Sequence, residues 1–207
     1  MRFIFIRQLL LEVIMNIISF LLYCIVVTCS PGPANIVILS SVQHSGAKKT
    51  MRYVYGATMA FGLLLILSTL MNRVLVEVIP NILIIMQVVG SIYMLYLAYK
   101  IFKMGAMEDQ PNPNANFRSG LLMQLVNPKV LLFTLTVIPS YVMPFYTSSL
   151  TLFMFVIIIT VIGFFAFTTW VVFGAIFRAF LQNHQKVLNT LMALFLVYSA
   201  IMISGIL

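Results

Sequence analysis

The sequence predicts an all-α polytopic membrane protein, and three observations support that prediction. Of the 207 residues, 62% are hydrophobic and only 8% are charged, and the mean hydropathy is +1.10. Apolar runs of about 20 residues, the length that a helix needs to cross a bilayer, recur along the whole chain. Glycine, proline, serine and threonine interrupt these runs, and membrane helices tolerate them where neighbouring helices satisfy the freed backbone groups.

Six apolar segments divide the chain. We expect transmembrane helices at residues 15–42, 53–71, 82–102, 119–142, 150–175 and 187–206. A polar, proline-bearing linker, residues 103–118, separates a first half, about 15–102, from a second half, about 119–206. Because each half has an odd number of helices, the two halves are predicted to be inverted three-helix repeats within a single transporter domain, 1–207.

A proline-rich motif interrupts the first segment. Two prolines and a glycine, in the stretch CSPGPAN from Cys29 to Asn35, stand in the middle of this apolar run. Proline has no N–H group and cannot continue the hydrogen bonds of a helix, so the motif predicts a broken helix with free backbone groups. The fourth segment has a corresponding interruption in QLVNPK, from Gln124 to Lys129. Helices one and four are therefore predicted to be broken.

The two breaks predict a substrate site near the middle of the membrane, because interrupted helices at corresponding positions of inverted halves mark such sites in transporters. Free N–H groups at a helix N-terminus attract a carboxylate, whereas free carbonyls and asparagine side chains suit an ammonium group. A small zwitterion such as an amino acid carries both groups. The candidate substrate-binding residues are Pro31, Gly32, Pro33, Asn35, Gln124, Asn127, Pro128 and Lys129.

Lys129 is the charged residue among these candidates, and an unpaired lysine is costly in hydrocarbon. We expect it to face a polar cavity shared with Asn35 and, with the N–H groups after Pro33, to bind the substrate carboxylate. Asn35, Asn127 and free carbonyls would bind the amine. An alternative interpretation stays open, in which Lys129 only caps a kinked helix at the membrane interface.

The distribution of basic residues predicts the orientation of the chain. Lysine and arginine concentrate in or beside the segments 43–52, 103–118 and 176–186, and the positive-inside rule assigns these segments to the cytoplasm. Both termini would then face outward. The net charge of +8 is spread over short loops, so it indicates membrane topology and no nucleic-acid partner.

Residues 1–14 raise the question of where translation starts, at Met1 or at Met15. Leu11-Glu12-Val13 can be encoded by a ribosome-binding sequence at a suitable distance from Met15, so we hypothesise that the mature chain begins there. An intact mass that includes residues 1–14 would exclude this start. A lipoprotein signal peptide ending before Cys29 is disfavoured, because threonine is an awkward residue before such a cysteine.

Four stretches carry a resemblance to a known family: CSPGPANIVILSS, SGAKKTMRYVYGATMAFG, VVGSIYMLYLAYKIF and NFRSGLLMQLVNPKVLLFTLTVIPSYV. Together they resemble the LysE/RhtB family of amino-acid exporters, and the likeness extends from Met15 to Leu207. The resemblance implies export of small amino acids across the bacterial inner membrane, coupled to protons, by a six-span homodimer. Within the family the chain is most similar to the cysteine and O-acetylserine exporters, although the branches that export threonine, homoserine or leucine share most of these features.

The resemblance also assigns motif positions in this sequence. They are Pro31, Gly32, Pro33, Asn35, Gly46, Gly56, Asn127, Pro128 and Lys129. Some members of the family pair an acidic residue after the first helix with a later arginine. This chain has no acidic residue between Glu12 and Glu77, so it departs from that pattern, and the sequence assigns no proton carrier.

Two rival classes of protein are less well supported. A membrane thiol-disulfide carrier would use Cys24 and Cys29, but such a carrier needs one cysteine in each half, and both of these lie in the first. An enzyme is disfavoured because the sequence offers no paired intramembrane carboxylates, no histidine-rich metal cluster and no nucleophile beside a base. No cofactor is expected. A purely structural membrane protein would leave the matched helix breaks unexplained.

Overall fold

The computed structural model describes residues 17–104 and 116–203, apart from the side chains of 72–87, 104 and 202–203. All regular structure in this part of the chain is helical. The helices are α1 Ile17–Cys29, α2 Pro33–Ser45, α3 Ala47–Met104, α4 Phe117–Leu125, α5 Pro128–Tyr141, α6 Ser149–Ile176, α7 Arg178–Asn183 and α8 Gln185–Ile203. The hypothesis on the start at Met15 and most of the predicted linker 103–118 lie outside the described residues.

The two predicted helix breaks are confirmed. The axes of α1 and α2 differ by 50°, and those of α4 and α5 differ by 65°. Both α2 and α5 begin with a proline, Pro33 and Pro128. Proline suits the first position of a helix, because the N–H group that it lacks has no partner there in any case. Each break therefore ends one helix and starts the next within a few residues.

The helix lengths identify a multi-pass membrane protein. Within the described residues, Ala47–Met71 and Ser149–Ile176 are each long and apolar enough to cross a bilayer. Each bent pair can add one span, which gives up to four. The apolar part of α8, Gln185–Ile201, is shorter. The arrangement of six spans as two inverted repeats stays a prediction.

Helix α3 differs from the sequence prediction, which expected a loop between helices at 53–71 and 82–102. The backbone is helical throughout Ala47–Met104. The sequence between the two expected helices holds one proline and no glycine, so little in it interrupts helical hydrogen bonds. A straight helix of this length would be about 87 Å long. Tyr53 and Tyr93 nevertheless pack in one hydrophobic cluster, so the path of α3 folds back between them.

Much of the molecular surface is apolar, as expected for a protein solvated by lipid. Helix α6 has large hydrophobic side chains around most of its circumference. Leu150, Phe165 and Ile176 are 71%, 62% and 72% exposed. Water would oppose such exposure, so we assign this surface of α6 to the hydrocarbon region.

Glycines bring α3 and α4 into close contact. A Cβ atom added at Gly56 would collide with the backbone carbonyl of Phe117, and one added at Gly120 would collide with the carbonyl of Tyr53. The two helices therefore touch backbone to backbone, a packing mode that small residues permit in membrane proteins. This contact holds α4, the helix before the second break, against α3.

Two segments that the sequence assigns to the cytoplasm lie side by side. The side-chain amide of Gln43, at the end of α2, donates a 3.1 Å hydrogen bond to the carbonyl of Leu181 in α7. The amide of Gln182 donates in turn to the carbonyl of Gln43, at 3.2 Å. The predicted cytoplasmic segments 43–52 and 176–186 are therefore at the same end of the molecule.

Candidate functional site

A small cavity lies between the two helix breaks. Its volume is about 30 Å³, room for roughly two water molecules. The polar side chains that line it are Thr28, Asn35, Gln124, Asn127 and Lys129, and Gly32 contributes backbone. Its apolar wall consists of Val27, Ala34, Phe61, Val130, Phe133 and Phe167. Residues from both interrupted segments thus share one space.

Lys129 joins the two breaks directly. Its ammonium group donates hydrogen bonds of 2.8 Å to the backbone carbonyl of Ser30 and to the Ser30 hydroxyl. The side chain crosses Gly32, where an added Cβ atom would lie 3.2 Å from the Lys129 Cδ and Nζ atoms. The absence of a side chain at Gly32 therefore leaves the space that Lys129 occupies.

The C-terminal end of α1 supplies the acceptors for this cation. The carbonyl of Ser30 also accepts a 2.9 Å hydrogen bond from the side-chain amide of Asn35. The next carbonyl back, of Cys29, accepts one of 3.1 Å from the indole N–H of Trp170. Carbonyls at the end of a helix carry partial negative charge, so a cation is well placed there.

Two side chains in the cavity have unused hydrogen-bonding capacity. Gln124 is fully buried, and neither its amide nitrogen nor its amide oxygen has a hydrogen-bond partner. The side-chain oxygen of Asn35 is also buried without a partner. Such groups cost about 1–3 kcal/mol each when they stay unsatisfied. The cavity is therefore suited to a polar ligand that hydrogen-bonds with both residues.

Asn127 has a structural role in this conformation. Its side-chain oxygen accepts a 3.1 Å hydrogen bond from the backbone N–H of Lys129 and so caps the N-terminus of α5. The sequence-based expectation that Asn127 binds a substrate amine stays a prediction, since this oxygen has a second lone pair that the cap does not use. Asn127 nevertheless lines the cavity, as do Gly32, Asn35, Gln124 and Lys129.

The three candidate prolines do not line the cavity. Pro31 is exposed, whereas Pro33 and Pro128 are buried at the first positions of α2 and α5. Their contribution is to the backbone, because each helps to end one helix or to start the next.

Several residues of the site were not predicted from the sequence. Ser30 stands inside the quoted motif, but its hydroxyl gave no distinct signal. Trp170 is the sole tryptophan of the chain. A buried or interfacial indole needs an acceptor for its N–H group, and this requirement could have indicated Trp170 from the sequence. The wall residues Phe61 and Phe133 stack with ring centroids 5.8 Å apart. Seventeen phenylalanines are present, and their sequence positions do not distinguish cavity from lipid.

Charge balance at the site is unusual. The chain has four acidic residues, and none of their side chains is among those that the structure describes. Lys129 is therefore neutralised, within the described part of the chain, by dipoles and not by a carboxylate. No group of three metal-ligating side chains occurs among the described residues. Cys24 and Cys29 are both free thiols, the first buried and the second exposed.

Comparisons with known proteins found relatives over most of the chain. Proteins called cysteine/O-acetylserine efflux protein from Klebsiella pneumoniae subsp. pneumoniae, Salmonella choleraesuis and Escherichia coli strain K12 are 28%, 29% and 29% identical to this chain. Each alignment covers 89% of this chain and 95% of the relative. No solved structure matches the chain. The sequence model described as LysE type translocator matches residues 25–204, a range that contains both helix breaks and every cavity residue, and the chain therefore belongs to the LysE-type translocator family.

Proposed function

We propose that this protein exports small polar amino acids of the cysteine and O-acetylserine type from the bacterial cytoplasm across the inner membrane. Membership of a translocator family and the names of the relatives support transport as the general activity and disfavour an enzyme or a thiol-disulfide carrier. The observation that carries the proposal is the position of Lys129, which holds an ammonium group beside a cavity between two broken helices.

The substrate carboxylate would bind at Lys129. No described side chain supplies a negative charge there, so an incoming carboxylate is the group that best compensates the lysine. The N-terminus of α2 lies beside it, and no side chain caps that N-terminus. Uncapped N–H groups and the positive end of the helix dipole add to the attraction for an anion.

The substrate amine would bind where the lysine ammonium now lies. The Ser30 carbonyl and hydroxyl already bind an ammonium group, that of Lys129, and the unpaired oxygen of Asn35 is a further acceptor. Binding would then exchange one ammonium for another at Ser30, while Lys129 turns toward the carboxylate. Each hydrogen bond that breaks in this exchange is replaced by another of the same charge type.

The substrate side chain would contact Gln124 and the aromatic wall. An amide can donate to and accept from a hydroxyl, a thiol or an ester carbonyl, and both amide atoms of Gln124 lack a partner. Phe61, Phe133 and Phe167 form part of the apolar wall and would exclude water from the bound side chain. This combination favours a short polar side chain over a charged one.

The present conformation would have to open before substrate enters. A cavity of about 30 Å³ holds water but is too small for an amino acid. Movement of the Lys129 side chain off Gly32 would enlarge it, since that side chain fills the space above the glycine. We therefore interpret this conformation as a closed, substrate-free one.

Orientation, coupling and assembly complete the proposal. The segments 43–52, 103–118 and 176–186 would face the cytoplasm, and a single domain of two inverted halves would act as a homodimer. The proton motive force would drive export. Because the described side chains include no carboxylate, the group that carries the proton is left unassigned.

Export from cells tests the proposal. We expect cells that overproduce the wild-type protein to release more cysteine or O-acetylserine than cells without it. Lys129→Met, which removes the charge but keeps most of the side chain, should abolish the increase, whereas Lys129→Arg should retain part of it. Lys103→Met is the matched control, since Lys103 lies over the ring of Tyr99, outside the cavity. Equal export by Lys129→Met and wild type, at equal amounts in the membrane, would refute the role of Lys129.

A further inference from the structure

A second group of buried polar side chains lies outside the cavity. Ser40 and Gln43 on α2 and Asn189 on α8 are at most 1% exposed. The Ser40 hydroxyl, the Gln43 side-chain oxygen and both amide atoms of Asn189 have no hydrogen-bond partner. Buried polar groups in folded proteins are almost always paired. Four unpaired atoms on two adjoining helices therefore suit water or a polar ligand at this interface.

The register of α2 against α8 brings these residues to one interface. The side-chain amide of Gln185, at the start of α8, lies 3.1 Å from His44 Nε2, near the end of α2. One turn back from His44 is Ser40, and one turn on from Gln185 is Asn189. The C-terminal end of α2 therefore lies beside the N-terminal end of α8. Two helices that pack side by side from such a contact run antiparallel, so Ser40 and Asn189 lie at the same level.

The buried stripe of α8 supports this register. Asn189, Ala193 and Leu196 follow one another at helical spacing and are all buried. Ala193 and Leu196 belong to the same core cluster as Val37 of α2. Asn189 is therefore the polar member of a stripe that packs toward α2, and its unpaired amide is not directed to lipid.

The interface connects the cavity with one end of the molecule. Asn35, which lines the cavity, and Gln43 are eight residues apart on α2, about 12 Å along the helix, with Ser40 between them. At the far end, Gln43 is hydrogen-bonded with Leu181 and Gln182 of α7, the helix that precedes α8. That end carries the segments predicted to face the cytoplasm.

We propose that the α2–α8 interface is the inner half of the transport path, lined by Ser40, Gln43 and Asn189 and closed by the contacts of Gln43 with α7. Hydroxyl and amide groups donate and accept hydrogen bonds without carrying charge. They can therefore hydrate a zwitterion as it passes and do not retain it as a charged side chain would. This inference rests on the proposed transport function and extends it to an entrance that lies apart from the cavity.

Cysteine accessibility tests the inner path. In a Cys24→Ser, Cys29→Ser background, Asn189→Cys and Ser40→Cys are exposed to a cationic, membrane-impermeant methanethiosulfonate in inside-out membrane vesicles. We expect both to react at least about tenfold faster than Leu196→Cys, because an open conformation hydrates the first two positions and not the third. Leu196 is the matched control, since it lies on the same buried stripe of α8 and is also fully buried. An excess of O-acetylserine, a proposed substrate that has no thiol group, should slow both reactions.

Either of two results would overturn the inference. One is that Asn189→Cys and Ser40→Cys react no faster than Leu196→Cys, and the other is that they react only in right-side-out vesicles. The use of two variants guards against loss of folding in one of them. The reaction is measured independently of export, so labelling without export would refute the proposed function alone, and export without labelling would refute the path alone.

Discussion

The ammonium group of Lys129 hydrogen-bonds with both the carbonyl and the hydroxyl of Ser30, a residue 99 positions earlier in the chain. The contact joins the C-terminal end of α1 to the N-terminal end of α5. A cation at the first of these ends is favourable and one at the second is unfavourable. Lys129 therefore belongs to one broken helix, and its ammonium group is hydrogen-bonded with the end of the other. A small conformational change can move this ammonium group from Ser30 to another hydrogen-bond partner.

Ser30→Ala removes the hydroxyl acceptor but keeps the carbonyl. The empty protein loses a charge-assisted hydrogen bond, so its free energy of unfolding should fall by about 1–3 kcal/mol. The KM for export should change by less than about threefold, because the substrate ammonium loses the same acceptor that Lys129 loses. Thermal unfolding in detergent and export kinetics measure the two effects. Ser199→Ala is the control, since the Ser199 hydroxyl bonds only within α8.

If Ser30→Ala raised the KM strongly and left the unfolding temperature unchanged, the hydroxyl would serve the substrate alone. Lys129 and the substrate amine would then not share an acceptor.

Gln124→Met removes the amide while it keeps the length of the side chain. We expect the ratio of kcat/KM for O-acetylserine to that for leucine to fall by at least about tenfold, because an apolar site loses its preference for a polar side chain. Export of competing pairs of labelled amino acids measures this ratio. Met123→Leu is the control, as Met123 is a buried neighbour on α4 that does not line the cavity. An unchanged ratio in Gln124→Met would remove Gln124 from the site.

Gly120→Ala tests the backbone contact between α3 and α4. The added methyl group would meet the Tyr53 carbonyl, and backbone cannot rotate away as a side chain can. Overpacking of this kind should lower the free energy of unfolding by about 1–3 kcal/mol. Gly62→Ala is the control, because its added Cβ atom would lie 3.3 Å from the side chain of Thr160, which can adjust. Equal unfolding temperatures of the two variants would contradict the contact.

Cys24→Ser with Cys29→Ser tests the rival thiol chemistry. The two free thiols differ in burial and neither lines the cavity, so we expect the double variant to export at close to the wild-type rate. Loss of export in Cys29→Ser alone, with normal amounts of protein in the membrane, would instead favour a redox or thiol-dependent mechanism. Export assays with equal membrane content separate these outcomes.

The breaks in the first and fourth segments could be predicted because proline acts locally. Pro33 and Pro128 each remove a hydrogen-bond donor wherever the chain goes. The pairing of Lys129 with Ser30 could not be predicted, since it depends on how two segments far apart in sequence pack together. Phe133 in the cavity and Phe165 at the surface likewise occupy similar apolar contexts in the sequence, and only the tertiary arrangement separates them.

Helix α3 is an element whose end was predicted incorrectly from the sequence. The prediction of a loop near residues 72–81 relied on the length that a bilayer requires, whereas helix formation depends on whether local residues interrupt the backbone hydrogen bonds. The backbone is helical over Ala47–Met104, although its path folds back within that range. Bilayer thickness therefore did not predict where this helix ends.

The central claim is that Lys129 binds the carboxylate of an amino acid, and binding of cysteine compared with cysteinamide to the purified protein tests it most directly. Cysteinamide keeps the amine and the thiol but lacks the negative charge. We predict that the wild-type protein binds cysteine at least about tenfold more tightly than cysteinamide. Most of this preference should be lost in Lys129→Met, where the N-terminus of α2 alone still attracts the carboxylate. Equal affinities in the wild type, or an undiminished preference for cysteine in Lys129→Met, would contradict the claim.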